Sequence, residues 1–140
     1  TVVREFNRLI KIKDTYAVEI YPMLFGTEIF IGASKEENFG HQILFGLGGI
    51  FVEVLKDVKA ALAPVNFEEA KTLIKQLKGY KIIQGVRGQE GVNEDMFAQT
   101  IVKVSALVTA APEIAEMDLN PLLGTAKQII AVDARIRIEK

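Results

Sequence analysis

Two capped, amphipathic stretches stand in a chain otherwise made of short alternating runs, and this arrangement narrows the fold more than any motif does. The first stretch starts at Asn66, a suitable N-cap, with Glu69 at the capping-box position. Phe67, Ala70, Leu73, Ile74 and Leu77 recur on one helical face, and Gly79 ends the helix. The second starts at Asn93, shares a face among Phe97, Ile101, Val104 and Val108, and cannot continue past Pro112. Before them, residues 16–21, 27–33, 41–46 and 50–55 read as strands, with a short edge strand at 59–63. Residues 34–40 are polar and read as a hairpin loop. Residues 3–13 place Phe6, Leu9 and Ile10 at helical spacing, although Ile10 and Ile12 also alternate as a strand would. Residues 80–84 read as extended, leading into a glycine-rich loop at 85–91. Strands at 115–122 and 128–138 close the chain, joined through 124–127. Strands, helix, loop, helix and strand pair predict an α+β domain with a mainly antiparallel sheet and helices packed on one face.

Composition removes several function classes. The chain has 140 residues, which suits one domain without a metal or disulfide staple. Its 17 Lys+Arg and 18 Asp+Glu leave a formal net charge of −1, against a dedicated nucleic-acid binder. There is no Cys, so thiolate nucleophiles and zinc-thiolate sites are excluded, and a single His excludes a two-His metal site. No apolar run reaches the roughly 18 residues of a membrane helix. The charged N-terminus, with Arg4, Glu5 and Arg8, is no signal peptide, so the expected setting is cytoplasmic. The chain begins with Thr, which points to a processed product or a piece of a longer protein.

Candidate oxygen ligands gather near the end. Asp118 and Asn120 alternate on one face of a predicted strand, with Met117, Leu119 and Pro121 on the other. Asp133 lies among Ile129, Ile130, Ala131, Val132 and Ala134, where a buried carboxylate is costly unless paired. In a hairpin, Asp133 and Asn120 can sit opposite each other. Such oxygens suit Mg²⁺ on a nucleotide phosphate, because magnesium takes few protein oxygens and fills its octahedron with phosphate and water. The same spacing also serves a hydrogen-bonded Asp/Asn pair with no ion.

The remaining candidates are less specific. Residues 45–51, FGLGGIF, match neither GxGxxG nor a P-loop, and read as a turn or bulge or as a backbone approach to a ligand. Arg87, among the glycines of GVRGQEG, can clamp a phosphate or carboxylate, or lie in a plain surface loop. Glu19 and Glu28 can face a ribose or metal, or simply solvent. His41 stands alone and fits no catalytic set.

In order, FGLGGIFVEVLKDV (45–58), GYKIIQGVRG (79–88), PEIAEMDLNPLL (112–123) and AVDARIRI (131–138) resemble one family. They are similar to the ATP-grasp domain of ADP-forming acyl-CoA synthetases, such as acetate–CoA ligases, and more distantly the succinyl-CoA synthetase β subunit. The resemblance implies a single C-terminal ATP-grasp lobe over 1–140, with ATP or ADP and Mg²⁺ as cofactors. It implies Asn120 and Asp133 as Mg²⁺ ligands, Asp118 near the phosphates, and Glu19 and Ile20 in the hinge that meets adenine. Glu28 would sit near ribose or phosphates, and Arg87 would take the catalytic role of contacting phosphate or a phosphohistidine loop. The implied partners are the N-terminal ATP-grasp lobe and the CoA-ligase and CoA-binding domains of the parent. Oligomeric state stays open, as do an ATP-grasp-like regulatory region of a protein lysine acetyltransferase and a non-catalytic interaction module.

Overall fold

A computed structural model describes Thr1–Glu139. Six strands form one antiparallel sheet: β1 (Thr27–Glu36), β2 (Gly40–Leu47), β3 (Val58–Leu62), β4 (Ile114–Gly124), β5 (Ile129–Ala131) and β6 (Ala134–Ile138). The order is β3-β2-β1-β4-β5, with β6 beside β4 on the β5 side. Among the described residues there are also five helices: α1 (Val2–Leu9), α2 (Ile50–Glu53), α3 (Phe67–Lys75), α4 (Tyr80–Gln84) and α5 (Glu94–Ala110).

The long helices form where their caps direct. Asn66 Oδ1 accepts from the Glu69 N–H at 2.8 Å, and Asn93 Oδ1 accepts from the Met96 N–H at 2.9 Å, supplying partners to otherwise orphaned helix-start donors. Both helices pack on one sheet face. Ile29, Ile31, Ile43, Phe45 and Leu47 from the sheet meet Ala70, Ile74, Phe97, Ile101 and Val108 in one core. Phe45 and Phe97 meet edge-to-face with centroids 6.1 Å apart. Burying a side chain of this kind contributes roughly 1.5–3 kcal/mol. Ion pairs tie the helices at their rim, where the Lys71 ammonium lies 2.9 Å from Glu94 and 2.6 Å from Asp95. Among the described residues the other sheet face carries no helix, and from β1 it presents Glu28, Phe30, Gly32 and Ser34 by alternation.

Four sequence expectations fail, each for a local reason. Residues 16–21 form no strand: no neighbour pairs with them, and Tyr16 is 97% exposed. Residues 50–55 contain α2 instead of a strand, because Gly49, at φ +59°, turns the chain away from β2. Residues 80–84 form α4, whose entry is fixed by Asp57. Its carboxylate accepts from the N–H groups of Lys78 (2.8 Å) and Gly79 (2.7 Å). The run 128–138 is split into β5 and β6 by a break at Val132 and Asp133. The helix at the N-terminus is shorter than 3–13 suggests, ending at Leu9. No helix of the described residues is long and apolar enough to cross a membrane.

Candidate functional site

The uncovered sheet face holds the acids. On β4, Glu116 and Asp118 alternate outward while Met117 packs inward, and Asn120 continues the exposed row. Leu119 pairs with Ala134 and Leu122 with Ala131, so the β4 register is the same on both sides of the break. That register sets Asn120 across from Asp133. The juxtaposition expected of a hairpin is therefore present. The buried acid is not, since Asp133 is half-exposed and its carboxylate lies 3.4 Å from Arg135. Its surroundings were misread because the apolar run stops at the break, leaving Asp133 outside both strands.

A bulge shapes this row. Ile31 pairs with Leu119 but Ile29 pairs with Leu122, so Asn120 and Pro121 both lie opposite Phe30. Bulges of this kind re-aim side chains at the edge of a site. Glu116 pairs with Arg137 at 3.1 Å, and that guanidinium holds its carboxyl below the usual range. Asp118 has no hydrogen-bond or ion-pair partner among the described residues, although Arg135 is its cross-strand neighbour. Among the described residues no three His, Cys, Asp or Glu side chains gather as a ready metal cluster. The donor set is instead one amide oxygen and two carboxylates along one strand pair. Such a sparse oxygen set fits an ion that keeps water and phosphate as its other ligands.

The other candidates are distributed around this face. Glu28, the second residue of β1, is on the same face and its carboxylate lies against the glycine turn, where a Cβ on Gly49 would come within 3.0 Å of it. Glu19 and Ile20 lie outside the sheet, in an irregular stretch that lines a shallow cleft with Val2, Phe6 and Leu9 of α1. The Tyr21 hydroxyl donates to Glu19, and this bond raises the Tyr21 pKa. Arg87 is exposed in the tight Val86–Gln89 turn and makes no ion pair among the described residues. His41 is buried at 5% exposure, with Nε2 2.5 Å from the Ile114 carbonyl, a link between β2 and the start of β4.

Sequence reasoning missed three elements of the surroundings. Arg135 and Arg137 share the face of Asp133, a pattern legible from their alternate spacing. Gly32 lies directly opposite Asp118. Asp57, only 2% exposed, left no signal in the sequence beyond an acid after a glycine-rich stretch.

Residues 2–138 match the family model described as an ATP-grasp domain. This chain belongs to the ATP-grasp domain family. It is 45% identical over 124 residues to the β subunit of acetate–CoA ligase [ADP-forming] I from Pyrococcus furiosus, covering 88% of this chain and 53% of that subunit. The chain thus spans about half of this curated ATP-grasp relative. The apo form of the dinucleotide-forming acetyl-coenzyme A synthetase 1 from Ca. Korarchaeum cryptofilum superposes with a TM-score of 0.83 at 36% identity, over 98% of this chain and 66% of that one. The same enzyme in complex with coenzyme A and Mg-AMPPCP, its phosphohistidine segment pointing towards the nucleotide binding site, gives 0.78 at 39% identity. That superposition covers 86% of this chain and 56% of that one. The α+β architecture expected from the strand and helix order is thus that of an ATP-grasp lobe.

Proposed function

We propose that this chain is the C-terminal lobe of an ATP-grasp domain in an ADP-forming acyl-CoA ligase, and that its uncovered sheet face holds a magnesium nucleotide. The parent reaction would convert acyl-CoA, ADP and phosphate to acid, CoA and ATP through an acyl phosphate and a phosphohistidine. An N-terminal ATP-grasp lobe would close over the nucleotide, and separate CoA-binding and CoA-ligase regions would carry the thioester chemistry. The observation that carries the reading is the row Asp118, Asn120 and Asp133 on one open face, in a chain so similar to such ligases.

Asn120 and Asp133 would hold Mg²⁺, which would neutralise charge on the β- and γ-phosphates during transfer. Asp118, free of a partner, would orient phosphate-bound water or the metal's outer shell. Asp133 would exchange its contact with Arg135 for the metal, and the released guanidinium would then face phosphate oxygens. Glu28 would sit beside the glycine turn, near the ribose or phosphates, and Glu19 and Ile20 would meet the base. Arg87, exposed on its turn, would contact the incoming phosphoryl carrier. Such fixed charges act by stabilising the transferred phosphoryl group in place.

The test is Asn120→Ala and Asp133→Ala in the complete ligase, with circular dichroism and ATP formation measured together. Both variants are expected to stay folded and to lose ATP formation by about 100-fold or more, the scale of removing one preorganised charge-stabilising group. Near-wild-type turnover in both would refute the assignment.

A further inference from the structure

Ten of the eleven glycines have a reason within the lobe itself: each has a positive φ or would drive a Cβ to 3.2 Å or less from a neighbour. Gly32 is the exception. Its φ is not in the positive region, and a Cβ there would meet only the Met117 carbonyl oxygen at 3.6 Å and Asp118 Oδ1 at 3.9 Å, ordinary contact distances. It lies in the interior of β1, between Leu44 on β2 and Asp118 on β4. Glycine in a strand interior weakens the strand and marks a bulge, a bend or a close approach by something else; the bulge here is on β4 opposite Phe30, not at Gly32. Here nothing among the described residues makes that approach.

Gly32 lies in the floor of a shallow pocket of about 240 Å³ on the uncovered face. Phe30 and Leu44 give it an apolar side, and Ser34, Glu116 and Asp118 give it a polar side. A bare phosphate would be repelled by the two carboxylates. A sugar fits both sides, with C–H edges toward Leu44 and hydroxyl donors toward Asp118. We propose that Gly32 is a close-approach position for the nucleotide, its absent side chain letting the sugar lie flat on β1 beside Asp118. The inference rests on the nucleotide reading above and adds a specificity-determining residue to it.

Gly32→Ala and Gly32→Val in the complete ligase test it, with thermal melting and the KM values for Mg²⁺–ADP and CoA as readouts. The expected result is an unchanged or higher Tm in both. The KM for Mg²⁺–ADP should rise at least about tenfold in the valine variant, equivalent to losing about 1.4 kcal/mol of binding. It should rise less in the alanine variant, and the KM for CoA should not move. A valine variant that melts normally and keeps its Mg²⁺–ADP KM within twofold of wild type overturns the inference while leaving the nucleotide reading intact. Loss of folding in both variants also overturns it, because the glycine would then serve the fold. A wild-type ligase that neither binds Mg²⁺–ADP nor forms ATP removes the nucleotide reading, and this inference with it.

Discussion

Removing the Asp57 carboxylate should loosen the corner between α3 and α4 and lower stability by an amount the structure allows to be worked out. Asp57 is almost fully buried, and its two oxygens receive the Lys78 and Gly79 N–H groups at 2.8 and 2.7 Å. Each hydrogen bond to a charged group contributes about 1.5–3 kcal/mol. Lys78 is exposed, so water re-satisfies part of the loss in Asp57→Ala, and the expected cost is about 2–4 kcal/mol. Asp57→Asn keeps one acceptor and turns an amide N–H₂ toward the other donor, so it should cost about half as much. Urea unfolding followed by far-ultraviolet circular dichroism at neutral pH reads both numbers directly. If the alanine variant lies within about 0.5 kcal/mol of wild type, typical of a neutral surface substitution, Asp57 does not hold this corner. The same corner leads into the segment bearing Arg87, so under the function proposed above its loosening should be felt in the parent ligase's turnover as well.

Two further expectations concern the helical layer. Burial pushes the Glu94 carboxyl up, but the Tyr80 hydroxyl at 2.6 Å and the Lys71 ammonium push it further down, and the net direction is below 4.5. A depressed carboxyl adds stability that is complete above the unfolded value and fades as pH falls through the folded one. Glu94→Gln should therefore cost stability at pH 7 and nearly nothing at the acid end of that window, and equal urea midpoint shifts at both ends would contradict this. Phe97→Ala empties a fully buried site against Phe45, and should cost about 3–5 kcal/mol in the same unfolding assay.

What the chain disclosed in advance follows from how local each signal is. The capped helices were legible because Asn66 and Asn93 act on donors three residues away. The Asp118–Asn120 alternation and the facing Asp133 were legible because strand period and hairpin register are short-range rules. The helices α2 and α4 were not. Their apolar, β-branched runs suit strands, and they become helices through a positive-φ turn at Gly49 and through distant Asp57, which holds the Lys78 and Gly79 N–H groups just before α4. Asp133 was misread as buried for a related reason, since a break in pairing cannot be seen in an apolar run. Residues 16–21 alternate correctly but lack a partner strand, and a strand without one has no ladder to join. Gly32 was invisible because a glycine's meaning lies in the space around it.

The sheet order has a consequence for how the molecule comes into being. β1 pairs on one side with β2, its neighbour in the chain, and on the other with β4, which is made only after both long helices. Closing that long loop is slower than forming the local hairpin. During synthesis β1 therefore waits with an open edge, the kind of surface that invites wrong pairing between nascent chains. The strand that finally covers this edge is also the one bearing Asp118 and Asn120. Protection against aggregation and delivery of the Asp118–Asn120 row are thus a single late event, and a chain stalled before β4 would be both sticky and without that row.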